Sequence, residues 1–163
     1  MWQSTIRLTV PGTLEHRDLA VRVVAEACRL VSGGSSARGD GDSVDVGYDL
    51  RHPFDAAFVS AFAEIFNNIA IHAYAREGGG EVDIRIEASA DQLALDVIDT
   101  GKPFDIDAVP EPALDELPEG GMGIHIARTM LDEVDYKAGP PNRWRLVKRF
   151  QQPVAQASGS GQQ

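Results

Sequence analysis

The sequence predicts an α+β fold, a two-layer sandwich with a mixed, mainly antiparallel sheet and helices on one face. Short runs alternate apolar and polar residues, as half-buried strands do, whereas two longer stretches repeat their apolar residues every three or four positions. The strand-like runs also come in pairs joined by short polar turns, which favours antiparallel hairpins over parallel crossovers.

Residues Thr5 to Val10 place Ile6, Leu8 and Val10 on one side of a strand that Pro11-Gly12 ends. Thr13 is a candidate cap for a helix running to about Val31, stopped by Ser32-Gly33-Gly34. Cys28 falls among its apolar residues and reads as core. Asp40, Asp42, Asp45 and Asp49 follow, but the stretch lacks the terminal bidentate Glu of a calcium loop, so a solvated turn entering a short strand is expected. After Pro53 a helical pattern runs from about Phe54 to Arg76, with Phe58, Phe62, Ile65 and Ile69 spaced four, three and four apart. Gly78-Gly79-Gly80 ends it. Val82 to Ala88 and Leu93 to Ile98 read as a hairpin. Asp99 to Glu119 holds four prolines and seven acids and reads as a loop. A helix is expected from about Ile124 to Asp132, then strands near Val134 to Ala138 and Trp144 to Phe150. Residues 1–150 thus form one domain, and the uncharged, Gln-, Ser- and Gly-containing stretch 151–163 reads as a disordered tail.

Lysine and arginine number 15 against 25 acids, a net charge of −10, which disfavours direct nucleic-acid or anionic-membrane binding. One cysteine excludes an intrachain disulfide and a cysteine-rich zinc site, and points to a reducing, cytoplasmic compartment. The start of the chain has no secretory pattern, and no apolar run is read as reaching the roughly 20 residues of a membrane span.

Three segments carry chemistry. In Glu64-Ile65-Phe66-Asn67-Asn68-Ile69-Ala70-Ile71-His72-Ala73-Tyr74, the residues Glu64, Asn68 and His72 stand four apart and share one side of a helix. An amide oxygen suits magnesium and a carboxylate one turn away suits a proton acceptor, although a solvated helix face has the same spacing. Asp99-Thr100-Gly101 ends an apolar strand with an acid able to accept an exocyclic amine, beside a glycine that permits close approach; an ordinary turn reads the same way. Gly120-Gly121-Met122-Gly123 precedes a helix, where free backbone N–H groups attract phosphate. No Walker lysine pattern occurs.

Taken together, the order and spacing of these segments resemble the ATPase superfamily (Bergerat fold) shared by DNA gyrase, sensor histidine kinases and bacterial anti-sigma-factor serine kinases. The run from Glu64 to Tyr74 resembles the asparagine box of the anti-sigma branch, Asp99 to Asp105 the first glycine box, and Gly121-Met122-Gly123-Ile124 the second. Met130 to Tyr136 and Leu146 to Arg149 are also similar to kinases of the RsbW type, and the likeness covers roughly Ile6 to Phe150. The resemblance implies Glu64 as catalytic base and Asn68 as the Mg2+ ligand. It implies Asp99 as the adenine partner with Gly101 beneath the base, Gly121 and Gly123 as the phosphate-side lid glycines, and His72 and Met122 as further ATP-binding residues. It further implies a serine kinase that phosphorylates an anti-anti-sigma protein, sequesters a sigma factor and acts as a homodimer.

Three features depart from that pattern. Lys102-Pro103 stands where many members carry another glycine, the acidic segment 106–119 has no Lys or Arg for a γ-phosphate, and Gly139 to Trp144 lacks the threonine that often reaches the adenine site. Weaker nucleotide binding and slow turnover are the corresponding expectations. The competing reading is a non-catalytic module that sequesters a partner with or without nucleotide. Glu15-His16-Arg17-Asp18 matches neither a eukaryotic-type kinase loop, since Val23 replaces the required asparagine, nor a phosphoacceptor helix; His16 and His125 are expected at the surface.

Overall fold

The computed structural model describes residues 3–32, 53–75, 79–105 and 122–149. The Asp-rich stretch and short strand expected between residues 37 and 52, the acidic segment 106–119, Gly121 and the tail lie outside the described residues.

In chain order the elements are β1 (Gln3–Pro11), α1 (Arg17–Ser32), α2 (Pro53–Asn68), β2 (Glu81–Ser89), β3 (Gln92–Asp99), α3 (Met122–Met130), β4 (Glu133–Lys137) and β5 (Asn142–Arg149). The strands form one sheet in the order β1-β2-β3-β5-β4, antiparallel at every pairing among the described residues. Alternation sets which side of each strand is buried. Ile6, Leu8 and Val10 pair with Ile86, Ile84 and Val82, and those in turn with Leu95, Val97 and Asp99, so one face is continuously apolar until it reaches that acid.

The helices cover this face. Phe58, Phe62, Ile65 and Phe66 of α2 are wholly buried in one cluster with Leu93, Leu95, Val97, Trp144 and Leu146. Burying an aromatic or branched aliphatic side chain contributes roughly 1.5–3 kcal/mol each, so this layer is the main source of stability. Its apolarity also gives Asp55–Ala73, 19 residues, the length and composition of a membrane span; the expectation that no run comes close is corrected, and here those residues form the core helix. Cys28 is fully buried in the same core.

Two helix boundaries differ from expectation for local reasons. Thr13 does not cap α1: its hydroxyl pairs with His16 Nδ1 at 2.8 Å, the chain makes a 310 turn over Leu14–His16, and α1 starts at Arg17. His16 is consequently half-buried rather than a surface residue. The second helix, expected to reach Arg76, which lies outside the described residues, does not continue as α-helix beyond Asn68. After Asn68 it widens into a π-helical turn, Ile69–Ala73, in which the Tyr74 N–H reaches the Ile69 carbonyl at 3.0 Å, and Ala75 with φ of 51° ends it.

Candidate functional site

The site is built where β3 ends beside the widened turn of α2. Asp99 closes β3 and is 2% exposed. Its Oδ1 accepts the Gly101 N–H at 2.9 Å, a tight turn made by the chain itself, and the Asn142 Nδ2 at 2.9 Å from the first residue of β5. Asn142 is the register partner of Asp99, so antiparallel pairing delivers the amide to the acid.

The loop after Asp99 is fastened at two points to the turn that follows α2, and the tyrosine at one of them is itself held to β2. Lys102 N–H donates to the Ala73 carbonyl at 2.9 Å, Thr100 N–H to the Tyr74 hydroxyl at 3.0 Å, and the Tyr74 hydroxyl to the Glu81 carbonyl at 2.7 Å. A Cβ on Gly101 would stand 2.5 Å from the Ala73 carbonyl oxygen, so the helix end itself demands glycine at this position. The Ala73 carbonyl that receives the Lys102 N–H belongs to the last residue of the π-helical turn.

Glu64 is exposed between the buried Ala63 and Ile65, and Asn68 is half-buried at the last residue of α2, so the two share the outer side of its final turn. His72 is exposed and sits within the wide turn, where the four-residue spacing no longer stacks side chains. Met122 and Gly123 open α3, which packs on α2 through the buried Ile124 and Ala127. The loop that carries Asp99 and Gly101 is therefore bonded, through Thr100 and Lys102, to the end of the helix that carries Glu64 and Asn68, while the placement of Gly121 is outside the described residues.

An aromatic cluster completes the neighbourhood. The Tyr136 and Trp144 rings lie 4.5 Å apart, Phe104 lies 5.7 Å from Trp144, and the Phe104 N–H donates to the Tyr136 hydroxyl at 2.7 Å. Burial pushes the Tyr136 pKa up and the nearby Asp99 charge adds to it, against the lowering by the Phe104 hydrogen bond.

Sequence reasoning missed Tyr74, Asn142 and Arg17, whose Nε donates to Asn67 at 2.8 Å and ties α1 to the asparagine pair. The threonine expected to be lacking is answered by Asn142, which reaches Asp99 directly. Its signal was present, as a polar residue directly opposite the acid once β3 and β5 are paired.

A family model of the histidine kinase-like ATPase domain matches residues 10–148. The chain belongs to that family. It is similar to the serine-protein kinase RsbW of Bacillus subtilis (strain 168), 37% identical over 82 residues that cover 45% of this chain and 51% of that protein. It is also similar to the serine-protein kinase RsbW of Halalkalibacterium halodurans, 32% identical over 141 residues, 82% of this chain and 75% of that protein. The match thus spans about half the length of the Bacillus relatives and three quarters of the Halalkalibacterium one, and the chain is an RsbW-type histidine kinase-like ATPase domain. The strand-end acid, its glycine loop and the asparagine-bearing helix all fall inside the matched residues.

Proposed function

We propose that this domain is an ATP- and Mg2+-dependent protein serine kinase that phosphorylates an anti-anti-sigma partner and otherwise holds a sigma factor, as a cytoplasmic homodimer. The observation that carries the reading is the buried Asp99, oriented by Gly101 and Asn142 on Oδ1 and joined through its loop to the helix bearing Glu64 and Asn68. Asp99 Oδ2 accepts the exocyclic amine of adenine. By the same reading Gly121 and Gly123 are the phosphate-side glycines, and His72 and Met122 are further ATP-binding residues.

Among the described residues no three His, Cys, Asp or Glu side chains form a metal cage of their own. Mg2+ favours a site with few protein ligands, completed by phosphate oxygens and water, and Asn68 Oδ1 fits as that protein ligand. The ion, when bound, offsets phosphate charge. Glu64, exposed one turn before Asn68, accepts the proton of an incoming serine hydroxyl in this reading.

Calorimetry with ATP and Mg2+, beside a phosphate-transfer assay on an anti-anti-sigma protein, tests this. Glu64→Ala is expected to retain ATP binding and lose transfer. Absence of ATP binding by the wild type, or transfer undiminished in Glu64→Ala, would overturn the reading.

A further inference from the structure

We propose that Asn142 is a specificity-determining residue: by holding Asp99 in one orientation, it makes the site select purines that carry a 6-amino group over those with a carbonyl there. The inference rests on the nucleotide-site reading above and concerns a residue to which that reading gave no role in discrimination.

Asn142 is 1% exposed, so every polar atom of its amide requires a partner. All are supplied. Oδ1 accepts the Gly139 N–H at 3.0 Å, and Nδ2 donates both to Asp99 Oδ1 at 2.9 Å and to the Gly101 carbonyl at 2.9 Å. The reverse orientation would set Nδ2 against the Gly139 N–H and Oδ1 against two other oxygens, so the amide has one arrangement. Its fixed end is equally constrained, because a Cβ on Gly139 would collide with the Pro141 carbonyl.

The consequence falls on Asp99. Both hydrogen bonds it receives from described residues go to Oδ1, which locks the rotation of the carboxylate and presents Oδ2 to a ligand. A carboxylate oxygen accepts from an amine and repels a carbonyl, so an adenine edge fits and a hypoxanthine edge, with a carbonyl in place of the amine, does not. Discrimination of this kind requires that the acid cannot turn away. A hydroxyl side chain at position 142 has a single proton to give and could serve Asp99 or the Gly101 carbonyl, whereas the amide serves both.

The test is calorimetric titration of the full chain with ADP and with inosine diphosphate, without metal, for wild type, Asn142→Ala and Asn142→Thr, each variant also melted thermally. Wild type is expected to prefer ADP. Asn142→Ala should bind ADP roughly tenfold or more weakly, as loss of a hydrogen bond to a charged group implies, and its ADP-to-inosine preference should shrink. Asn142→Thr should fall between the two. If Asn142→Ala does not fold, the preference ratio of Asn142→Thr decides the matter. Unchanged preference ratios, even with lowered affinity, overturn the proposal and leave the nucleotide site standing. Failure of the wild type to bind either nucleotide overturns both.

Discussion

Lys102 donates its backbone N–H to the Ala73 carbonyl at 2.9 Å, so the loop leaving the buried acid and the end of the helix bearing the asparagine are bonded directly. Gly101 lies against that junction, with the Ala73 carbonyl carbon 2.7 Å from where its Cβ would be. Gly101→Ala is therefore expected to separate loop and helix. Overpacking of this kind costs about 1–3 kcal/mol, and nucleotide binding should fall with it. Urea unfolding and ADP titration check both, and an unchanged unfolding midpoint would contradict the junction.

Tyr136 accepts the Phe104 N–H, so Tyr136→Phe leaves that donor without its partner and should lower stability by about 0.5–1.5 kcal/mol. The pH dependence follows in sign from its raised pKa. The stability it contributes is fully present below the ordinary tyrosine value of 10.0 and is lost as pH rises through the higher folded value. Unfolding curves between pH 8 and about 11.5 should converge for wild type and Tyr136→Phe toward the alkaline end; parallel curves would refute the assignment.

The Cys28 thiol is fully buried, and burial first, then the Asp55 charge, push its pKa far above the ordinary range. Only the thiolate is an effective nucleophile, so the folded protein should not react with a disulfide reagent near neutral pH. Reaction should begin where urea unfolds the chain. Rapid labelling of the folded protein would count against this account.

On the opposite sheet face, Asp96 is 6% exposed and accepts from Arg143 Nε and Nη2 and from Arg145 Nη1, at 2.9 to 3.1 Å. Asp96→Ala strands Arg143 and leaves Arg145 only its 4.0 Å pair with Glu133, but both guanidinium groups remain partly solvated, so the expected loss is about 1–2 kcal/mol rather than the larger figure for a fully buried pair. ADP affinity should stay at the wild-type value, since the helix layer and Asp99 lie on the other face. A matching loss of affinity would show that the two faces are coupled.

How far the sequence revealed the fold and site depended on the range of the interactions. The Phe58-Phe62-Ile65-Ile69 stripe and the alternation around Val82–Ala88 are local periodicities, and both match the buried positions. Asp99-Thr100-Gly101 was visible because an acid and a glycine after an apolar strand form a short contiguous pattern. The widened turn after Asn68 was not, because Lys102, the partner of its Ala73 carbonyl, stands far along the chain. Thr13 read as a cap because propensity ignores the histidine three residues on that takes its hydroxyl. Asn142 read only as part of a turn until the register set it opposite Asp99.

The ring of Tyr74 occupies the space that a Cβ on Gly12 or Gly80 would need, and those two glycines are themselves joined by the Gly12 N–H to Gly80 carbonyl bond at 2.9 Å. Positions 12, 74 and 80 thus share one volume. Among relatives they should vary as a set, a side chain appearing at 12 or 80 only where the residue at 74 is small. A chain that made that exchange would also give up the hydroxyl that receives the Thr100 N–H, so the history of the outermost strand and that of the loop beside Asp99 are linked through one aromatic ring.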